Sequence, residues 1–269
     1  MLAEIFRRLT RVPVLRRLLW RRWYNFLARR YADSRWTFMN YGYLASGDGL
    51  LALEHADEPD RYCIQLYHRT VSTVELAGRI VLEIGSGRGG GASYLQRYLR
   101  PASTVGLDFS HQAIKFSRAT HQAPGLSFRQ GDAEALPFED NSFDVVVNVE
   151  SSHCYGSMPA FLGQVARVLR PGGYFCYADL RAIGEMATLG RQLTGSGLDQ
   201  VLEEDISAEV LRAMEADSQR KLEIIQQFIP RLIGDAFTDF AGLRDSKVWR
   251  DLSTGRTRYL RYVFQKSPA

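Results

Sequence analysis

Cysteine is scarce in this chain: three in 269 residues, at Cys63, Cys154 and Cys176. Their odd number and wide spacing exclude a disulfide framework and a zinc-ligand pattern, and suit a reducing cytoplasm. No apolar run approaches the roughly 20 residues needed to cross a bilayer. The stretch from Val12 to Trp20 is too short, and too interrupted by arginine, for a secretory signal. Internal repeats and low-complexity tracts are absent. What remains is an ordinary globular composition, 45% apolar, enough for one large α/β domain with additions.

The net charge of +4 conceals an asymmetry: residues 1–36 carry ten arginines against Glu4 and Asp33, so this arm is +8 and the remainder −4. The high isoelectric point is therefore no sign of a nucleic-acid-binding core. Arginine pairs alternate with Leu, Trp and Phe at helical spacing up to Tyr31, and Pro13 divides the arm into a short and a longer helix. A basic amphipathic helix with Trp20, Trp23 and Phe26 reads as a membrane-surface element. A helix packed on the body with solvated arginines fits the same pattern.

The chain is organised around Val81-Leu-Glu-Ile-Gly-Ser-Gly-Arg-Gly-Gly-Gly91. An apolar run from Ile80 to Ile84, broken by Glu83, has the pattern of a buried parallel strand. Gly85, Gly87 and Gly89 follow, then a helical pattern from Ala92 to Leu99. Strand, glycine turn and helix form a nucleotide-binding geometry, because glycine lets the backbone approach a ligand closely. A second strand, Thr104-Val-Gly-Leu-Asp108, ends in an acid about 20 residues on, where such folds place a ribose-binding carboxylate. The full order predicts strands over 80–84, 103–108, 126–130, 143–148 and 173–179, with helices over 90–99, 110–121 and 158–169. This alternation gives a parallel sheet with helices on both faces. Gly85, Asp108, Asp132, Glu150 and Asp179 all fall at or just past a predicted strand end, where ligands of such sheets sit. Ala182 to Ile229 has a helical pattern broken near Thr194-Gly-Ser-Gly197 and ended by Pro230. Lys247 to Leu252 and Arg258 to Gln265 read as two final strands.

The order of Glu83 with the glycine turn, Asp108, Gly131-Asp-Ala133, Leu136-Pro-Phe-Glu-Asp-Asn-Ser-Phe-Asp-Val-Val-Val-Asn148 and Val168-Leu-Arg-Pro-Gly-Gly-Tyr174 resembles the class I S-adenosylmethionine-dependent methyltransferases. A dinucleotide-binding dehydrogenase fits less well, since it lacks the Leu-Pro-Phe and Arg-Pro-Gly-Gly signatures. The resemblance implies a Rossmann-like α/β fold with a seven-stranded, mostly parallel sheet, N-terminal helices and a helical cap. It divides the chain into an arm (1–36), a lid (37–78), a cofactor-binding core (79–181), a substrate cap (182–246) and final strands (247–269). Glu83 would order the glycine turn and the cofactor's amino-acid end. Gly85, Ser86 and Gly87 would approach the methionine and ribose portions, with Phe109, Gly131, Asn148 and Glu150 completing the site. Asp108 would take the ribose hydroxyls, and Asp132 and Ala133 the adenine; ordinary turn or helix capping would also account for both acids.

The fourth strand leads into Asn148-Val-Glu-Ser-Ser-His-Cys154. Enzymes that methylate the amines of bases or glutamine carry Asn/Asp-Pro-Pro-Tyr here, so its absence argues against a nucleic-acid partner. His153 is offered instead, a group that can remove the proton from an alcohol as the methyl transfers. Asp179 would orient it and stabilise the imidazolium, resembling the His and Asp dyad of metal-independent sugar and natural-product O-methyltransferases. A lone histidine is also often structural. Asp179-Leu-Arg181 offers no second acid, so no metal is expected. Tyr41, Tyr43, Tyr67 and Tyr155 are candidate substrate contacts, the first three as lid or core aromatics.

Blocks such as Asp57-Glu-Pro-Asp-Arg61, Leu66-Tyr-His-Arg-Thr70, Glu150-Ser-Ser-His-Cys-Tyr155 and Pro171-Gly-Gly-Tyr-Phe-Cys-Tyr-Ala-Asp-Leu-Arg181 are similar to the phthiotriol/phenolphthiotriol dimycocerosate methyltransferases. These O-methylate a hydroxyl of a long-chain wax lipid. The Gly-Ser-Gly turn and the pronounced arginine arm depart from that pattern, and the cap matches least. The implied function is metal-independent O-methylation of a lipid or other secondary metabolite by a cytoplasmic enzyme. Peripheral membrane contact through residues 1–31 and a homodimer are open options. The rivals are a C-methyltransferase of a sterol-like acceptor and a non-catalytic, membrane-tethered cofactor-binding scaffold.

Overall fold

The computed structural model describes residues 36–47, 51–228 and 241–268. The expectations for the arm, for Pro13 and for Pro230 lie outside them. Seven strands form one sheet: β1 (Ile80–Ile84), β2 (Ser103–Asp108), β3 (Leu126–Gln130), β4 (Phe143–Val149), β5 (Leu169–Ala182), β6 (Asp199–Asp205) and β7 (Thr257–Gln265). Their order across the sheet is β3-β2-β1-β4-β5-β7-β6. The first five run parallel, and β7 is antiparallel to both β5 and β6. The helices are α1 (Arg61–Val71), α2 (Gly90–Leu99), α3 (His111–Thr120), α4 (Met158–Val168), α5 (Met186–Thr194), α6 (Ser207–Phe228) and α7 (Lys247–Ser253).

The central strands read as apolar runs because both of their faces are covered. Successive residues point to opposite faces. Val81, Val145, Val147, Cys176, Ala178 and Val263 enter one core with Ile64 and Leu66 of α1 and Tyr94 and Leu95 of α2. Leu82, Ile84, Val146, Phe175, Tyr177, Tyr262 and Phe264 enter the other with Phe161, Leu162 and Val165 of α4. On that second face Phe175 and Tyr177, and beside them Tyr262 and Phe264, stack with ring centroids 5.5–6.2 Å apart.

Two elements differ from the pattern reading. Asp199–Asp205 is a strand, not part of a helical stretch. Its sequence, Asp-Gln-Val-Leu-Glu-Glu-Asp, has few β-branched residues and many charges, which suit an exposed edge. Pairing with β7 overrides that local preference. The pairing is reinforced by Glu204, which binds the buried guanidinium of Arg261 at 3.0 Å and also pairs with Arg69 of α1. Lys247–Ser253 is a helix, not a strand. Ser246 caps it by accepting the Trp249 N–H at 3.2 Å, Lys247 pairs with Asp251 one turn on, and Val248 and Leu252 share its inner face. Only Thr257–Gln265 therefore serves as the final strand, and it takes the expected antiparallel place in the sheet. β5 also runs on to Ala182, so Asp179 lies within it rather than at its end.

Candidate active site

A cavity of about 210 Å³ opens at the carboxyl ends of β1, β2 and β4. Its floor is the turn after β1. The N–H groups of Gly85 and Ser86 both donate to the Leu107 carbonyl, at 2.8 and 3.0 Å, which folds the turn tightly over β2. Gly85 has φ +75°, and a Cβ there would lie 2.3 Å from Ser151 Oγ and 2.9 Å from the Tyr155 hydroxyl. No other residue fits that position. Asn148 sits beneath, donating from Nδ2 to the Ile84 carbonyl at 2.8 Å and to Ser151 Oγ at 2.7 Å. It holds the turn from below and does not line the cavity.

Asp108 closes the β2 side. Its Oδ2 accepts the Gly87 N–H at 2.9 Å and its Oδ1 the Ser110 N–H at 2.8 Å. A carboxylate has about four acceptor sites, so it retains capacity for ligand hydroxyls. Burial pushes its pKa up to about 6. Glu83, fully buried behind the turn, accepts the Tyr67 hydroxyl on Oε1 at 2.6 Å. Burial pushes this carboxyl up to about 7, against the pull of that bond. Glu83 Oε2 and Ser86 Oγ are buried with no hydrogen-bond partner among the described residues. Ser86 lines the cavity and has a bond left for a ligand to make, whereas Glu83 lies behind the lining. Beyond β3, Gly131, Asp132 and Ala133 line the cavity with Phe109, and Asp132 Oδ1 accepts the Glu134 N–H at 3.0 Å.

The opposite wall carries the candidate chemistry. His153 lies in a short 3-10 turn after β4, and its Nδ1 is 2.8 Å from Asp179 Oδ1. Asp179 is fully buried. Burial would raise its pKa, but Arg181 and His153, with Ser152, hold it well below the usual carboxylate range. An ionised carboxylate only accepts, so His153 Nδ1 carries the proton in the neutral ring and Nε2 the lone pair. Burial opposes a charge on His153, yet Cys154 and Asp179 beside it hold its pKa well above the ordinary imidazole value. Glu150, with a strained φ of +48°, also lines the cavity. Its Oε2 accepts the Tyr41 N–H and the Tyr259 hydroxyl, each at 3.0 Å, and burial pushes its pKa up to about 7.

Residues 36–47 form a strap without regular structure above the site. Glu150 holds it at Tyr41. Thr37 Oγ1 donates to Asp60, and the Tyr43 N–H donates to the Tyr62 carbonyl at 2.9 Å. Trp36, Phe38, Met39 and Tyr41 line the cavity, whereas Tyr43 turns into the core beneath the Arg69 guanidinium. Tyr67 and Tyr155 line it too, but their hydroxyls are committed to Glu83 and to the Asn148–Ser151 group. Beyond the residues expected from the motifs, Phe38, Met39 and Arg88 line the cavity, and Ser152 and Arg181 lie behind Asp179. Among the described residues no group of three or more His, Cys, Asp or Glu is placed to hold a metal, and no helix is long and apolar enough to cross a membrane.

A profile described as "Methyltransferase domain" matches residues 82–177. The chain is 45% identical over 248 residues to a phthiotriol/phenolphthiotriol dimycocerosates methyltransferase of Mycobacterium tuberculosis, covering 92% of each. It is 41% identical to a fatty-acid O-methyltransferase of Mycolicibacterium smegmatis, covering 90% of this chain and 88% of that protein. Among solved structures, the geranyl diphosphate C-methyltransferase of Streptomyces coelicolor superposes with a TM-score of 0.66 at 15% identity. That match covers 93% of this chain and 97% of the other, and shows the shared fold.

Proposed function

The chain belongs to the class I S-adenosylmethionine-dependent methyltransferases of the phthiotriol/phenolphthiotriol dimycocerosates kind, and from that membership we propose that it O-methylates a hydroxyl of a lipid or related secondary metabolite. Bound S-adenosylmethionine would supply an electrophilic methyl group. The glycine turn, the orphaned hydroxyl of Ser86, and the residual acceptor capacity of Asp108 fit that cofactor, with Glu83 supporting the turn from behind. Asp132 and Ala133 would hold its adenine.

The observation that carries the O-methylation reading is the His153–Asp179 pair at 2.8 Å in the cavity wall. An alcohol is a weak nucleophile until its proton leaves, and Nε2 of the neutral ring can accept it. Asp179 then stabilises the imidazolium. The strap supplies Trp36, Phe38 and Met39 as apolar surface that a lipid chain would favour over water. The relatives' printed substrates, a dimycocerosate lipid and a fatty acid, support a lipid acceptor. The test is incubation of purified protein with methyl-labelled S-adenosylmethionine and hydroxylated long-chain lipids, with and without EDTA. Label is expected in the lipid in both cases. Transfer only to amines, or loss of transfer with EDTA, would contradict the reading.

A second reading, methylation at carbon, is favoured by Glu150. A π-bond needs no proton removed before it attacks the methyl, and a carboxyl with a pKa near 7 in the same wall can take the proton lost afterwards. In that case Glu150→Gln would abolish turnover and His153→Ala would spare it.

Cofactor affinity gives a further expectation. Asp108→Ala weakens S-adenosylhomocysteine binding about 10- to 100-fold, from loss of charge-assisted bonds worth about 1.5–3 kcal/mol. Binding should favour the ionised forms of Asp108 and Glu83, whose pKa values are raised to about 6 and about 7. Affinity is then full only well above the higher of these values and falls as pH drops through them, with protons released on binding. Titration calorimetry in buffers of different ionisation enthalpy reads both effects. Equal affinity for Asp108→Ala, or no proton release, would count against the assignment.

The arginine arm is proposed to contact an anionic membrane surface. Sedimentation with vesicles should require anionic lipid and weaken with salt, since exposed charges are screened beyond about 10 Å at 0.1 M. Deleting residues 1–31 should remove vesicle binding and leave cofactor affinity unchanged. Equal binding to neutral vesicles would refute it.

A further inference from the structure

Asp179 is more heavily committed than a simple partner of histidine. Its Oδ1 accepts from His153 Nδ1 and from the Leu180 N–H, both at 2.8 Å. Its Oδ2 accepts from Ser152 Oγ at 2.6 Å and from the His153 N–H at 3.0 Å, and pairs with Arg181 Nη1 at 3.0 Å. Arg181 is almost buried itself, its side chain 11% exposed, and its Nη2 donates to Ser152 Oγ at 2.7 Å. Ser152 has one hydroxyl proton, and the acceptor-only carboxylate takes it. The buried Tyr177 hydroxyl, 2.8 Å from Ser152 Oγ, must therefore donate to it as well.

We infer that Arg181, acting through Asp179 and Ser152, is a positioning residue that holds down the basicity of His153. The inference rests on His153 being the general base. Two consequences of the geometry support it. Every group around Asp179 is a donor, so the carboxylate cannot rotate without orphaning buried N–H or O–H groups, and Oδ1 stays on Nδ1. The guanidinium also shares the carboxylate's negative charge. An imidazolium beside an unshared buried carboxylate would be stabilised strongly enough to keep the ring protonated and unable to accept a proton. A second cation on the same carboxylate offsets that pull.

The other titratable groups around His153 are Glu150 and Cys154 of its own loop, Tyr177 of β5, and Tyr259 of β7 through Glu150; Glu185 lies near Arg181. All of them remain in the variants that test the idea. Ring-proton NMR of the full chain without cofactor would follow the titration of His153, identified among the five histidines as the signal missing from His153→Ala. In Arg181→Met its pKa should rise by about one unit or more, the scale on which a charge within hydrogen-bond range acts. The rising limb of kcat/KM should move to higher pH by the same amount, with the limiting rate at high pH near wild type. Arg181→Lys should restore the wild-type profile. Ser152→Ala removes one donor from Asp179 without deleting a charge, and should shift the histidine in the same direction if Arg181→Met does not fold. An unchanged histidine pKa, or a rate lowered by one factor at every pH, would overturn the inference and leave Arg181 a packing residue. If the wild-type limb survives in His153→Ala, the base assignment fails instead, and the NMR titration still decides what Arg181 does to His153.

Discussion

Replacing His153 with alanine lowers kcat about 10²- to 10⁴-fold, the usual contribution of a positioned general base, or about 3–5 kcal/mol of barrier. S-adenosylhomocysteine affinity stays near wild type, because the candidate cofactor contacts at Ser86 and Asp108 involve none of the His153 atoms. In the wild type, kcat/KM rises with pH through the histidine pKa, since the neutral ring is the active form. Asp179 and Cys154 hold that pKa well above the ordinary imidazole value, so the limb lies to the alkaline side of it. Steady-state kinetics over a range of pH, with cofactor affinity measured in parallel, separates this from a folding defect. A variant that retains its rate on the true acceptor would remove His153 from the chemistry.

The second large effect is expected at Gly91, in the first turn of α2. A Cβ there would lie 2.2 Å from two Tyr67 ring carbons and 2.5 Å from Glu83 Oε1. Neither neighbour can yield cheaply, because Tyr67 packs edge-on against Phe38 and Glu83 is locked in a central strand. Gly91→Ala must push the tyrosine away and strip the buried Glu83 carboxyl of its Tyr67 donor. Overpacking costs about 1–3 kcal/mol and loss of a buried hydrogen bond about as much again, for a total of about 2–6 kcal/mol. Denaturant unfolding would show this as a lower midpoint, accompanied by weaker cofactor binding. Wild-type stability would mean that Tyr67 and Glu83 are not coupled as the structure has them.

Much of the candidate cofactor side was brought to one cavity as spacing suggested, because its residues are local to strand ends. The glycines follow β1, Asp108 ends β2, and Asp132 follows β3, so spacing alone placed them on one edge. His153 and Asp179 come together because the turn after β4 lies beside β5, although Asp179 sits within β5 and not at the strand end that spacing suggested. What spacing could not give was direction. Tyr41, Tyr43 and Tyr67 look alike as lid aromatics, yet Tyr43 enters the core and Tyr67 serves Glu83. Which of them faces the cavity depends on long-range hydrogen bonds, such as Tyr41 N–H to Glu150, between residues 109 positions apart.

Ser152 and Arg181 escaped notice because their neighbours in sequence are more conspicuous. Their roles exist only once β4 and β5 lie side by side, with Asn148 opposite Tyr177 and Val149 opposite Ala178. The misread elements have a related cause. Asp199–Asp205 has no local reason to be extended beyond the edge of β7 that it completes, and Lys247–Ser253 is too short for its helical period to stand out from alternation. Ser246 was the available signal, a capping residue ahead of a Val248–Leu252 pair at helical spacing.

Transfer of a methyl group to oxygen can be tested directly, because the atom that receives it can be located. Purified protein would be incubated with deuterium-labelled S-adenosylmethionine and a hydroxylated long-chain lipid, and the product fragmented in a mass spectrometer. A methyl ether is expected, with the label lost in the fragment that carries the former hydroxyl oxygen, and His153→Ala is expected to form it about 10²- to 10⁴-fold more slowly. Label retained on the carbon skeleton, with His153→Ala as active as the wild type, would contradict O-methylation and give the carbon reading its place.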